Sequence, residues 1–330
     1  MSSAAGALPK ARRLAGRPVS TSRRILLERA FVIFCVLSAT ASVAILALLL
    51  GSIVFQTQGY LDASFLKKVP SRFPHKAGMW PAIVGSVAVC VSCAMFALPI
   101  GIGTAVFLEE YRPTKSRWMK RLHSFVQLNI SNLAGVPSIV YGIIGLTAFV
   151  EGFGIVGSAQ DPLLTIGSES SWYFFRLPFG RGVLAGGLTL MLVILPIVII
   201  SAQEALRAVP DSLRHAALGL GATRWQMVSQ VSLPSAIPGI MTGSILAMSR
   251  AIGEAAPMLV ISGAVYITFL PRNVMESFTV MPLQIYEWAK LPQKEFHHVA
   301  AAGIVVLLVV LLAFNAFAVF IRQKFHKPLS

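Results

Sequence analysis

The sequence predicts an all-α membrane protein with six transmembrane helices, and three observations carry that expectation. Of 330 residues, 55% are apolar and only 12% charged, with a mean hydropathy of +0.73. A soluble domain of this size needs no such apolar surplus. Six runs can cross a hydrocarbon core about 30 Å thick at about 1.5 Å per residue. They are 30–54, 80–108, 126–150, 182–203, 237–263 and 299–321. The third observation is charge placement. With a cytoplasmic start, 18 of the 28 Lys and Arg fall on the inside, 9 on the outside, and Arg250 within a span. Acidic residues lean the other way, which is the positive-inside pattern and puts both termini and residues 204–238 in the cytoplasm. The net charge of +15 is therefore an orientation signal, helped by anionic membrane lipid. No interleaving of aromatic and basic residues points to nucleic acid.

Taken in order, residues 1–29 are small and basic (Lys10, Arg12, Arg13, Arg17, Arg23, Arg24, Arg29) and are expected to form a disordered cytoplasmic tail. The apolar run behind them exceeds the roughly 7–15 residues of a signal-peptide core, which favours a retained first helix over a cleaved signal. Residues 30–79 hold that helix and an extracytoplasmic connection with Gly59, Pro70 and Pro74. The main transmembrane domain is expected over 80–322. Its second span ends in LPIGIGTAVFLEEYRP (98–113), followed by a basic turn to about 125. The third opens with NISNLAGVPSIVYGIIGL (129–146). There Pro137 lacks a donor, and Asn129, Ser131, Asn132 and Ser138 bring polar groups to membrane depth. A kinked helix within a bundle and a face on a watery path both fit. Residues 151–181 and 264–298 read as outer loops, lying on the membrane surface or meeting an extracytoplasmic partner. A short cytoplasmic tail, 323–330, follows. Cys90-x-x-Cys93 has metal-ligand spacing but no Cys or His near it in sequence. With Cys35 it reads as buried apolar thiol, and no metal site is expected.

The most informative stretch is 204–238, EALRAVPDSLRHAALGLGATRWQMVSQVSLPSAIP, polar and pinned between two spans. Pro210 opens a helix that Asp211 or Ser212 can cap, and Gly219 and Gly221 stop it with their tolerance of positive φ. A second helix starts at Thr223 and ends at Pro234 and Pro238, so the segment is an L of two short helices. Arg214, His215, Ala216 and Ala217, then three residues, Gly221, nine residues, and Val231-Ser232-Leu233-Pro234 resemble the coupling loop of ABC importer permeases, Glu-Ala-Ala-x3-Gly-x9-Ile-x-Leu-Pro. The resemblance implies that Arg214, His215, Ala216, Ala217, Gly221, Leu233 and Pro234 couple to an ATPase. His215 stands where that family has Glu. It loses the carboxylate that suits a helix start and gains a side chain able to charge near neutral pH. Either the partner differs to match, or the Glu was never essential.

Within the fifth span, SRAIGEAAP sets Arg250 and Glu254 four residues apart, on one face of a helix. A charge at mid-membrane costs at least about 2.5–3.5 kcal/mol, so the pair is either a structural ion pair or a gate for an anion. Arg250 offers a planar fork of donors suited to a tetrahedral oxyanion, and Glu254 keeps it from permanent capture. Gly239, Gly243, Ala247, Ala251 and Ala255 form a small-residue stripe, for packing within the chain or along a seam with a partner.

Four stretches, LPIGIGTAVFLEEYRP (98–113), NLAGVPSIVYGIIGL (132–146), SRAIGEAAPMLVISGA (249–264) and FTVMPLQIYEWAKLPQKEFHHVAAAGIVVLL (278–308), resemble the permease subunits of the phosphate-specific ABC importer, the PstA type in particular. That resemblance implies the type I importer permease fold with cytoplasmic coupling helices, in a bacterial plasma membrane. It implies a second permease subunit (PstC-like), an ATP-binding subunit dimer (PstB-like) and an extracytoplasmic phosphate-binding protein (PstS-like), with Arg250 and Glu254 on the phosphate path. The chain has no Walker sequence, so no catalytic residue or bound cofactor is expected, and ATP belongs to the partner. An importer of another oxyanion such as molybdate or sulfate, an ion-coupled transporter and a phosphate sensor are the alternatives.

Overall fold

A computed structural model describes residues 21–112, 116–155, 162–168, 171, 173–262 and 266–325. The chain divides into one unit ending at Ser52 and a second beginning at Ile53. The first is the body of helix α1 (Thr21–Gln56). It begins inside the segment expected to be a tail. Arg24 and Glu28, four residues apart, extend the helix beyond its apolar run with side chains that suit water.

In the second unit, residues 57–79 fold back onto the bundle, burying Met79 and Phe65, whose ring lies 5.8 Å from that of Trp288. Helix α2 (Trp80–Glu110) carries Pro81 in its first turn, where a missing N–H costs nothing. The expected third span is instead two helices, α3 (Arg117–Leu133) and α4 (Ser138–Gly145), bent by 108°. The cause is Pro137, whose ring clashes with the carbonyl four residues back, at Leu133, where α3 stops. Tyr141 Oη donates to that same carbonyl at 2.8 Å and fixes the bend. A π-turn (Leu146–Val150) follows, then a small antiparallel pair, β1 (Leu164–Ile166) with β2 (Phe175–Leu177); an isolated bridge also joins Gly182 and Ser277.

Helix α5 (Val183–Arg207) leads into α6 (Asp211–Gly219) and α7 (Arg224–Met227). A π-turn (Val228–Ser232) then carries α7 directly into α8 (Leu233–Gly253). Pro234 was expected to end the second short helix and does not. The Leu233 N–H reaches back to Val228 across the π-turn, and Pro234 falls in the first turn of α8, where no donor is required. Helix α8 stops at Gly253, and α9 (Ala256–Ser262) begins after a two-residue break. Helix α10 (Met281–Ala289) buries Met281, Leu283 and Trp288, so this part of the expected outer loop is core rather than surface. Helix α11 (Lys294–Phe325) completes the bundle. Among the described residues, five helices are long and apolar enough to span a membrane, six if the bent pair counts as one.

Small residues set the helix spacing. Gly187 of α5 lies against Ser92 of α2, and Gly101 of α2 against Val198 of α5. On the other side of α5, a Cβ at Gly239 would sit 2.7 Å from that of Ala205, and Gly243 abuts Ser201. The glycines of the α8 stripe therefore pack within the chain. At Gly85 in α2 a Cβ would collide with backbone, the Thr279 carbonyl, which cannot turn aside as a side chain can. Gly85→Ala is expected to cost about 1–3 kcal/mol through overpacking. Gly103→Ala, in open space on the same helix, should cost nothing. Thermal unfolding of the two purified variants checks the contrast.

Candidate functional site

The site has two parts, at the two ends of α8. At the first end, α6 and α7 form as the expected two short helices, together the elbow. The turn between them is a Schellman closure. The Ala222 N–H donates to Ala217 O at 3.1 Å and the Gly221 N–H to Leu218 O at 3.0 Å, with Gly221 at φ +85°. Gly219 stays helical, so only Gly221 uses the left-handed region. The start of α6 departs from expectation, because Pro210 precedes it with no side-chain cap and Asp211 turns to Arg214 instead. Thr223 and Gln226 form a full capping box at the start of α7.

Arg214 does not face outward. Its side chain is 14% exposed and holds α6 to the ends of α2 and α5. Nε and Nη2 donate to Glu110 Oε1 at 3.2 and 3.0 Å, and Nη1 to Asp211 Oδ1 at 2.9 Å. Nη1 and Nη2 also reach the carbonyls of Val209 (2.7 Å) and Leu206 (2.6 Å). Burial disfavours the charge, but the bonds and charge of Glu110, then Asp211, outweigh it and raise the guanidinium above its ordinary pKa. Beside this clamp, Glu109 pairs with Arg207 at 2.9 Å and with Arg112. His123 of α3 bonds Leu108 O at 2.7 Å.

The rest of α6 is open. No residue of α6 is buried, His215 and Ala216 are exposed, Ala217 is half-buried, and Leu220 at the corner is 90% exposed. Leu233 and Pro234 lie in the first turn of α8, where Leu233 shares a hollow with Trp225 of α7. An apolar corner thus stands open at the end of a helix that has no covered face.

At the other end of α8, Arg250 Nε donates to Glu254 Oε1 at 2.9 Å. The pair forms as expected, but not on one continuous helix. Glu254 has left the helix, with φ −74° and ψ 114°. Pro257 explains this, since its ring opposes the carbonyl of Gly253, the last helical residue. The Arg250 side chain is 56% exposed and that of Glu254 15%, so the guanidinium keeps free donors while the carboxylate holds one edge. The break packs on α4, where a Cβ at Gly142 would lie 2.8 Å from Pro257 Cα. The two broken spans, far apart in sequence, thus meet beside the charged pair. Arg181, which the sequence did not single out, closes the far end of α9 by donating to the Ile261 carbonyl at 3.1 Å. Among the described residues, no cluster of His, Cys, Asp or Glu could hold a metal ion.

A bundle of long apolar helices, two of its spans broken, is the architecture of a multi-pass membrane protein. Residues 97–327 match the family described as binding-protein-dependent transport system inner membrane component, and the chain belongs to that family. It is 34% identical over 230 residues to the probable ABC transporter permease protein YqgH of Bacillus subtilis (strain 168), covering 69% of this chain and 67% of that one. It is 30% identical over 266 residues to the phosphate transport system permease protein PstA of Xylella fastidiosa (strain Temecula1 / ATCC 700964), covering 80% and 82%. A solved inward-facing structure of the MetNI methionine ABC transporter superposes with a TM-score of 0.55 at 18% identity, covering 76% of this chain and 98% of that one. The fold is that of ABC importer permeases.

Proposed function

We propose that this chain is a permease subunit of an ATP-driven phosphate importer. It forms half of the path with a second permease, hydrolyses nothing itself, and is driven by a dimer of ATP-binding subunits. Both termini and the elbow lie in the cytoplasm, and an extracytoplasmic binding protein delivers phosphate. The observation that carries the reading is the pairing of an uncovered elbow at one end of α8 with a charged helix break at the other. Likeness to phosphate permeases over most of the chain supports phosphate as the cargo. His215, Ala216, Ala217 and Gly221 would seat the elbow in the ATPase, and Leu233 and Pro234 would stiffen its junction with α8. Arg214 would carry the motion to α2 and α5. At the break, the free edge of Arg250 would meet the passing oxyanion, while Glu254 limits how tightly it is held.

The cargo is tested with the purified complex in liposomes. ATPase stimulation by a phosphate-loaded binding protein is expected; stimulation by a sulfate-loaded one alone would overturn the assignment. Arg250→Ala removes a charge-assisted hydrogen bond worth about 1.5–3 kcal/mol, so uptake should fall about tenfold to a hundredfold. Removing both charges (Arg250→Met with Glu254→Met) should leave the fold intact and uptake low. Recovery of uptake in that double variant would make the pair structural only. His215→Glu should assemble and transport, as measured by co-purification of the ATPase and by uptake.

A further inference from the structure

The segment between α1 and α2 lies at the end of α2 away from the elbow and carries Lys67, Lys68, Arg72, His75 and Lys76, all exposed. Its one acid, Asp62, is occupied by Ser64 Oγ at 2.8 Å and the Phe65 N–H at 2.7 Å. Among the described residues, none of the four Lys and Arg forms an ion pair with a carboxylate. Lys68, Val69, Arg72, Phe73, Lys76 and Tyr266 surround a hollow of about 620 Å³. The hollow is held in shape by the backbone. The Gly78 N–H donates to Val69 O at 3.0 Å, the Trp80 N–H to Lys68 O at 3.1 Å, and Tyr266 Oη to Pro70 O. Gly78 permits this, since a Cβ there would collide with the Lys68 carbonyl.

On the proposed topology this segment is extracytoplasmic. Four basic residues in a short translocated loop then oppose the orientation bias that the rest of the chain obeys. Such a placement works against insertion, so a use outside the membrane is the physical reason for it. Arg72 stands beside exposed Phe73 and Tyr266, residue types enriched in protein interfaces. A fluid array of lipid phosphates needs no shaped hollow, whereas three cations spread round a hollow fixed by backbone bonds suit several carboxylates on one rigid face. We propose that this hollow docks an acidic face of the substrate-binding protein; the proposal rests on the importer reading above.

The test uses the assembled complex in nanodiscs of phosphatidylcholine, with ATPase activity followed against the concentration of phosphate-loaded binding protein. The triple variant K68E/R72E/K76E is expected to raise the half-maximal concentration at least about tenfold, with basal and maximal rates unchanged, because rim charges act mainly on association. The charge-conserving K68R/K76R should behave as wild type. Added salt should raise the half-maximal concentration for wild type and not for the triple variant. Unchanged half-saturation in a triple variant whose basal rate is normal overturns the docking surface alone. So does an effect that appears only when anionic lipid is present, since it assigns the hollow to the membrane. A wild-type complex that the binding protein fails to stimulate overturns this proposal together with the importer reading.

Discussion

Arg214→Ala is expected to abolish phosphate uptake while the ATP-binding subunits still hydrolyse ATP. The substitution strands the Glu110 carboxylate, whose side chain is 4% exposed, and strips donors from the carbonyls of Leu206 and Val209. Removing one partner of a buried ion pair costs about 3–5 kcal/mol, because the other charge stays behind unpaired. The cost falls locally. Helix α6 buries none of its own residues, so Arg214 is its chief attachment to α2 and α5. Losing it should detach the elbow before it melts the bundle, whose core is built from α2, α5 and α8. Pairing Arg214→Met with Glu110→Gln removes the stranded charge and should restore thermal stability without restoring uptake. Exchanging the charges (Arg214→Glu with Glu110→Arg) should recover part of the transport. Uptake and ATP hydrolysis measured in parallel in proteoliposomes decide the matter. Arg214→Ala with normal uptake would show that force does not pass through this clamp.

Gly221→Val is expected to uncouple hydrolysis from uptake as well, by a different route. No atom lies within 4 Å of where a Cβ would stand, so the objection to a side chain is conformational. At φ +85° an L-residue costs about 1–2 kcal/mol, and a β-branched one more. The Schellman closure would open, and the angle between α6 and α7 would no longer be set. Asn tolerates this region, so Gly221→Asn should keep most of the activity. That comparison separates backbone angle from contact with the ATPase. If any side chain at 221 struck the ATPase, Asn and Val would fail alike.

Much of this was legible in the sequence, for identifiable reasons. Spans show because apolar runs have to match a fixed membrane thickness, and the elbow shows because its punctuation (Pro210, Gly221, Thr223) is local chemistry. The limits are equally physical. Proline reads as a breaker everywhere, and within the expected spans Pro137 and Pro257 do interrupt the helix, each with a glycine nearby at 135 and 253. Pro99, Pro196 and Pro238 lie inside helices, and a π-turn leads into the helix that holds Pro234 and Pro238. Hence the 108° bend exceeds the kink expected at Pro137, and the break at Glu254 falls within a span expected to be continuous, although the Arg250–Glu254 pair still forms. The clamp was invisible for another reason. Glu110 and Arg214 are 104 residues apart, and Arg214 read as part of an outward surface until α2 and α5 brought Glu110 to it.

The central claim is that nucleotide-driven movement of the elbow opens a path at the Arg250–Glu254 break. It is tested most directly by radiolabelled phosphate uptake into proteoliposomes holding this chain, its partner permease and the ATP-binding subunits, with loaded binding protein outside. Uptake should require hydrolysable ATP inside and should vanish in Arg214→Ala while hydrolysis continues. Phosphate entry without ATP, or by this chain with no ATP-binding subunit present, would contradict it.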